Sequence, residues 1–223
     1  RAMAFAGLHR PGDADADLAK VLAYVEKATG GLSEGNAILA EANFRRGEIY
    51  QSLAHGVALA LPMDSMQKDL AEKVRFFRQS QRGYLAALNV RNHYWGTAAG
   101  LKLGELYEQF YDDVLGAEVP DDFDDKTTEF YLLELRKQLQ PLLEHSLSIY
   151  EKNMSMSARL GEENEWVAET EKRMAKLRNL IAETQELDPT SVLDEEAPPA
   201  SGGASNIQRK KTSKVTRPVE DKK

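Results

Sequence analysis

The stretch Asn92–Leu115, NHYWGTAAGLKLGELYEQFYDDVL, decides the fold class of this chain. It contains no proline, and its Ala, Leu, Glu, Lys and Gln residues lose little side-chain freedom in a helix. The composition therefore predicts a helix that ends at Gly116. Small residues recur along one face of this helix, at Gly96, Gly100 and Gly104. A face of this kind favours close packing against a neighbouring helix.

The same composition extends from about Asp13 to Leu187, and runs of Val, Ile and Thr that alternate with polar residues are missing. The sequence therefore predicts an all-α fold. Glycine, proline and capping residues divide this region into helices expected over about 13–29, 33–61, 64–90, 92–115, 125–160 and 163–187. Pro141 predicts a kink in the fifth helix, or two helices in series.

Composition also indicates the domain boundaries. Residues 1–12 are expected to form a lead-in closed by Pro11-Gly12, and residues 13–188 to form one helical domain. Residues 189–223 are rich in Pro, Ser, Gly, Thr and Lys. We expect them to be a disordered tail, because they lack the apolar surface that would offset the entropy of ordering. This tail ends with seven Lys or Arg against two acids from residue 206 onward.

Charge and cysteine content exclude several classes of function. The net charge is −7 although the tail is basic, so the body is acidic, which argues against a nucleic-acid-binding domain. The basic tail is a candidate for contact with an acidic surface. The absence of cysteine excludes disulfides, thiolate zinc sites and cysteine nucleophiles. The most apolar run, Val57–Met63, is too short to span a membrane.

An internal repeat is visible in the positions of glycine and tyrosine. A glycine precedes a tyrosine by three residues at Gly47–Tyr50 and again at Gly104–Tyr107, in the middle of two predicted helices. Glycine there costs about 1 kcal/mol relative to alanine. A helix accepts this cost where a neighbouring helix needs the space. The following helices also match, with Ser80, Tyr84, Ala87 and Leu88 in one and Ser146, Tyr150, Asn153 and Met154 in the other.

These motifs resemble the tetratricopeptide repeat (TPR), whose first helix has the pattern W-x2-L-G-x2-Y and whose second has A-x3-F/Y-x2-A-L. Unit one pairs Gly47–Tyr50 with Ser80–Leu88, and unit two pairs Gly104–Tyr107 with Ser146–Met154. Trp166 stands at the family's tryptophan position in a terminal helix. The resemblance implies an antiparallel helix–turn–helix array, a superhelix with elongated helices.

The chain departs from the family pattern at several positions. Gly47 and Gly104 are 57 residues apart, which exceeds the 34-residue period of the family and implies longer helices or inserted turns. Asn43 and Gly100 replace the tryptophan of the first two units, and Arg173 replaces the last tyrosine. Leu160–Trp166 is also similar to segments of large bacterial envelope TPR proteins, including those of gliding-motility complexes. That looser likeness implies a periplasmic or cell-envelope location.

The resemblance implies a non-enzymatic scaffold or adaptor that binds a protein partner in a groove between helices. The family's groove positions correspond to Phe44, Arg45, Glu48 and Gln51 in the first unit and to Leu101, Lys102, Glu105 and Glu108 in the second. We expect no cofactor and no catalytic site. The four histidines lack the spacing of a metal motif, and Asp13-x-Asp15-x-Asp17 lacks the later ligands of a calcium loop.

Two alternatives remain open at the level of the sequence. A plain helical bundle or coiled-coil subunit, oligomerising through its long fifth helix, would have the same fold class. A helical enzyme or divalent-cation carrier would use the acidic run Asp112–Asp125, which holds seven carboxylates and no Lys or Arg.

Overall fold

The structure is a computed structural model that describes residues 10–30 and 34–190. This part of the chain is all-α, as the composition predicted, and contains no strand. Its helices are α1 (Pro11–Thr29), α2 (Ala37–Gly56), α3 (Met63–Asn89), α4 (His93–Leu115), α5 (Asp125–Leu160) and α6 (Glu165–Glu186). None of these helices is both long and apolar enough to cross a membrane. The predicted lead-in up to residue 9 and the tail from residue 191 lie outside the described residues.

Side-chain caps explain where most helices begin. A side-chain oxygen of the residue before the helix accepts a hydrogen bond from a backbone N–H of the first turn, which would otherwise lack a partner. The capping residues are Asn36 for α2, Asn92 for α4, Asp124 for α5 and Asn164 for α6. Gly30 and Gly161 end α1 and α5 in the left-handed conformation that glycine adopts without strain.

Three predicted boundaries are wrong. Pro11 and Gly12 do not close a lead-in but form the first turn of α1, because the fixed φ angle of proline suits the first helical position. Helix α2 ends at Gly56, earlier than Pro62. Helix α5 runs unbroken through Pro141, so of the two outcomes predicted there, a kink or two helices in series, the second is wrong. Pro141 is exposed, as is Lys137 one turn earlier, so water can reach the carbonyl that proline leaves unbonded.

The helices pack in chain order, each against the next, from α1 to α6. Helix α4 is central, because it also contacts α2 and α6. Helices α2, α4 and α6 therefore lie side by side, while α3 and α5 both pack on α4. The apolar core follows this arrangement in three clusters that centre on Phe44 between α2 and α4, on Tyr150 between α4, α5 and α6, and on Leu18 between α1 and α2.

Neighbouring helices approach closely at the two glycines that the sequence singled out. A methyl group on Gly47 would lie 2.5 Å from Cδ1 of Tyr84 in α3, and one on Gly104 would overlap the ring of Tyr150 in α5. Only a residue without a side chain fits at such a contact. The prediction that a neighbouring helix lies across each glycine is confirmed.

We call the contacts of α2 with α3 at Gly47 and of α4 with α5 at Gly104 the two helix crossings. At each crossing, a serine one turn before the tyrosine forms a hydrogen bond between the two helices. Ser80 donates its hydroxyl to the backbone carbonyl of Gly47 at 2.8 Å, and Ser146 donates to that of Gly104 at 3.0 Å. Both serines are fully buried. The short serine side chain lets the helices approach while its hydroxyl remains hydrogen-bonded, as a buried polar group must be. The α2–α3 and α4–α5 pairs therefore share one set of contacts.

Candidate partner-binding groove

A polar groove runs between α2, α4 and α6 and contains a cavity of about 250 Å³. We call it the polar groove. It is lined by Gln51 and His55 of α2, by Glu105, Glu108, Gln109, Asp112 and Asp113 of α4, and by Arg173 of α6. Because α4 lies between the other two helices, it supplies most of the lining.

Polar contacts hold the walls of the polar groove together. Gln51 donates from Nε2 to Oε1 of Gln109 at 3.0 Å, which joins α2 to α4. The guanidinium of Arg173 lies 3.0 Å from a carboxylate oxygen of Glu105 and 3.5 Å from one of Glu108, which joins α6 to α4. The guanidinium therefore neutralises part of the acidic wall from the opposite helix.

The tyrosines of the two crossings reach the groove through their hydroxyls. Tyr84 donates to Oε1 of Gln51 at 2.5 Å, and Tyr150 donates to the carboxylate of Glu108. Gln51 and Glu108 each lie four residues after the glycine that the tyrosine covers, so the two contacts are equivalent. Burial, followed by the charge of Glu108, raises the pKa of the Tyr150 hydroxyl, which therefore stays protonated as a donor.

Two carboxylates of the polar groove are less acidic than usual. Burial raises the pKa of Glu108, and its neighbours Glu105 and Asp112 add to this effect, while the Tyr150 hydrogen bond and Arg173 oppose it. Burial also raises the pKa of Asp112, with a further contribution from the adjacent Asp113. Partial removal from water disfavours the charged form. A cation in the groove would therefore stabilise both ionised carboxylates.

A buried lysine holds Asp113, one of the residues that line the groove. Lys73 of α3 is 1% exposed, and its Nζ donates to Oδ2 of Asp113 and to the carbonyl of Ala54, each at 2.7 Å. His55 lies 2.8 Å from the other oxygen of Asp113. Ala54 belongs to the last turn of α2, and its carbonyl also accepts from the backbone N–H of Val57 at 3.3 Å, so the ammonium group is a second donor at this helix end.

The groove contains several of the residues predicted from the TPR resemblance. Gln51, Glu105 and Glu108 line the cavity itself. The other charged residues of that set, Arg45, Glu48 and Lys102, are partly exposed on α2 and α4 but do not line the cavity. Arg45 pairs with Glu48 at 2.7 Å, and Lys102 pairs with Glu105 at 2.7 Å.

Phe44 and Leu101 are not groove residues, and their assignment there is wrong. Phe44 is 0% exposed and Leu101 is 1% exposed. Each lies three residues before a crossing glycine, Gly47 or Gly104, and positions three apart share a helix face. Both side chains consequently point into the core with the glycine.

Sequence patterns did not indicate the other residues that line the polar groove, namely His55, Gln109, Asp112, Asp113 and Arg173. Asp112 and Asp113 stand out in the sequence only as part of the acidic run, and Arg173 only as a departure from the TPR pattern. Gln109 and Asp112 follow Glu105 and Glu108 by four residues, so helical spacing was the available signal for these two. His55 and Arg173 lie on other helices, where that spacing gives no signal. Over residues 10–30 and 34–190, the structure groups no three His, Asp or Glu side chains that could hold a metal ion.

Comparison of the chain with protein-family models, with curated proteins and with solved structures gives no match. Over the described residues the chain is an all-α protein with a polar groove between α2, α4 and α6.

Proposed function

We propose that this chain is a non-catalytic scaffold or adaptor, a TPR-like helical array that holds a segment of a protein partner in the polar groove. The observation that carries the proposal is the repeated crossing, in which Ser80 and Tyr84 contact Gly47 as Ser146 and Tyr150 contact Gly104. In TPR-like arrays the first helices of successive units stand side by side and form the binding surface. The side-by-side packing of α2, α4 and α6 supports this proposal.

The lining supports a partner segment that carries lysine or arginine. Asp112 has no ion-pair partner within the described part of the chain, and Arg173 is shared among Glu105, Glu108 and Glu169. A lysine or arginine side chain would supply the missing countercharge and several hydrogen-bond donors. The amides of Gln51 and Gln109 offer further polar contacts to a peptide backbone.

Fluorescence anisotropy with a labelled peptide of alternating lysine and serine, and with a glutamate–serine peptide as reference, tests this function on the full chain. We expect saturable binding of the basic peptide and about tenfold weaker binding by the double variant Glu108→Gln/Asp112→Asn. The matched control is Glu171→Gln, which removes an exposed carboxylate on α6 outside the groove.

Equal affinities of the control and the double variant for the basic peptide would exclude the polar groove as the binding site. Two further measurements distinguish the alternative functions. A stable oligomer, seen by light scattering and unaffected by the groove variants, would favour the bundle subunit that associates through α5. Saturable micromolar binding of Ca²⁺, Mg²⁺ or Zn²⁺ in calorimetry would favour the cation carrier.

A further inference from the structure

A second, apolar surface lies on the face of α4 opposite the polar groove. Helices α3 and α5 flank a cavity of about 390 Å³ whose floor includes Gly100 and Leu103 of α4. Leu88 of α3 and Ile149 of α5 form part of its walls. The positions of Gly100 and Leu103 are about half a turn around the helix from Glu105 and its neighbours, so the two surfaces are separate.

The cavity continues into a neighbouring one of about 300 Å³ that extends towards Leu160 at the end of α5. Leu88 and Met156 line both cavities, so they form one crevice, which we call the apolar crevice. Leu85 at its middle and Leu160 at its end are each 43% exposed. From His145 to Leu160 the crevice follows α5 for about 22 Å, which is roughly four helical turns.

One charge in the apolar crevice has no counterpart. Glu34 and Arg91 pair with each other at 2.9 Å, and His93 lies 3.4 Å from Glu162. Lys152 also lines the crevice, and it has no ion-pair partner within residues 10–30 and 34–190. The crevice therefore has a cationic group beside an apolar surface, which is complementary to an apolar ligand that carries an anionic group.

We propose that the apolar crevice binds an amphipathic helix of a protein partner, with a row of leucine-like side chains inserted between α3 and α5 and a carboxylate next to Lys152. Such a helix presents apolar anchors at every third or fourth residue over a length that matches the crevice. The crevice is not suited to an extended strand of a partner, because its helices bond their backbone groups internally and offer no sheet edge. This proposal is independent of the polar groove.

Two synthetic amphipathic peptides of about 15 residues test the proposal on the full chain. Both carry leucines at helical spacing, and their flanking residues are glutamate in one and glutamine in the other, so that neither carries the cationic side chains expected to bind the polar groove. Fluorescence anisotropy is expected to show saturable binding of the acidic peptide, about tenfold tighter than that of the neutral one. The variant Lys152→Glu should abolish this preference. Its matched control, Lys176→Glu, introduces the same charge change at an exposed site on α6 outside the crevice.

A second variant tests the apolar contact separately. Leu85→Asp should weaken binding of the acidic peptide at least tenfold and leave the helical circular dichroism unchanged, because Leu85 is partly exposed. Glu108→Gln should leave this binding unchanged, which distinguishes the crevice from the polar groove. The proposal is overturned if neither peptide shows saturable binding, including the case in which the fatty acid laurate binds in the crevice instead. It is also overturned if Lys152→Glu and Lys176→Glu have the same effect on peptide binding.

Discussion

The ring of Tyr150 occupies the space that a side chain on Gly104 would need. The hydroxyl of the same tyrosine donates to Glu108, one turn further along α4. A single side chain thus sets the distance between two helices and orients a carboxylate of the polar groove. Tyr84 has the same relation to Gly47 and to Gln51. Packing in the core and the chemistry of the groove are therefore coupled at both crossings.

Gly104→Ala is expected to reduce the free energy of unfolding by about 1 to 3 kcal/mol, because its methyl group overlaps the Tyr150 ring. Gly96→Ala on the same helix is the control. A methyl group there meets only Cε of Met156, at 3.8 Å, so the helix gains up to about 1 kcal/mol from the better helix former. Urea denaturation measures both. Equal stability of the two variants would contradict the proposed role of Gly104.

Ser146→Ala should cost about 1 kcal/mol of unfolding free energy, because it removes a buried hydrogen bond to the Gly104 carbonyl. Ser155→Ala, at an exposed position on the same helix, should have little effect. The same denaturation experiment serves here. Ser80→Ala is expected to behave like Ser146→Ala if the two crossings are energetically equivalent, and a loss at one serine alone would show that they are not.

Glu108→Gln should change how stability depends on pH. The folded state raises the pKa of Glu108, so its ionised form is disfavoured by folding. The stability that this group contributes is present at low pH and is lost as the pH rises through the raised pKa. The variant keeps an acceptor for Tyr150, as Gln51 does for Tyr84.

We therefore expect Glu108→Gln to be at least as stable as the wild type at neutral pH. The stability of the wild type should rise relative to that of the variant as the pH falls towards the raised pKa. Denaturation midpoints measured from about pH 7 to about pH 4.5 report this difference. Glu171→Gln is again the exposed control, and an identical pH profile for both variants would refute the assignment.

Lys73→Met is expected to destabilise the fold by about 3 kcal/mol, because it leaves Asp113 and the Ala54 carbonyl without their buried cation. Thermal unfolding followed by circular dichroism measures this loss. Lys68→Met, at an exposed position on α3, should change stability by less than about 0.5 kcal/mol. If Lys73→Met unfolds at the wild-type temperature, the ammonium group does not hold the end of α2.

Local patterns in the sequence predicted much of this structure. Composition excluded strands, and the glycine, proline and capping residues placed most helix ends within a few residues. The contacts of Gly47 and Gly104 could be predicted because a mid-helix glycine is unfavourable without a neighbour that needs the space. Pro141 does not divide α5 into two helices, since an exposed helix face tolerates a missing hydrogen bond that a buried one would not.

The groove was only partly predictable. Its charged residues on α4 follow from helical spacing, yet Phe44 and Leu101 were placed there although they share the buried face of the glycines. The contact of Lys73 with Asp113 joins residues of different helices, and no local sequence pattern predicts it. Arg173 likewise meets Glu105 only because α6 returns alongside α4.

By itself, the sequence of this protein determined the helical class, the helices along the chain and two points of close approach. These features depend on backbone preferences and on the 3.6-residue period, which act over a few residues. Tertiary structure alone decided which polar faces form a common groove and which apolar faces stay open between α3 and α5. The relative rotation of two helices depends on all their side-chain contacts together, and those contacts join residues far apart in the chain.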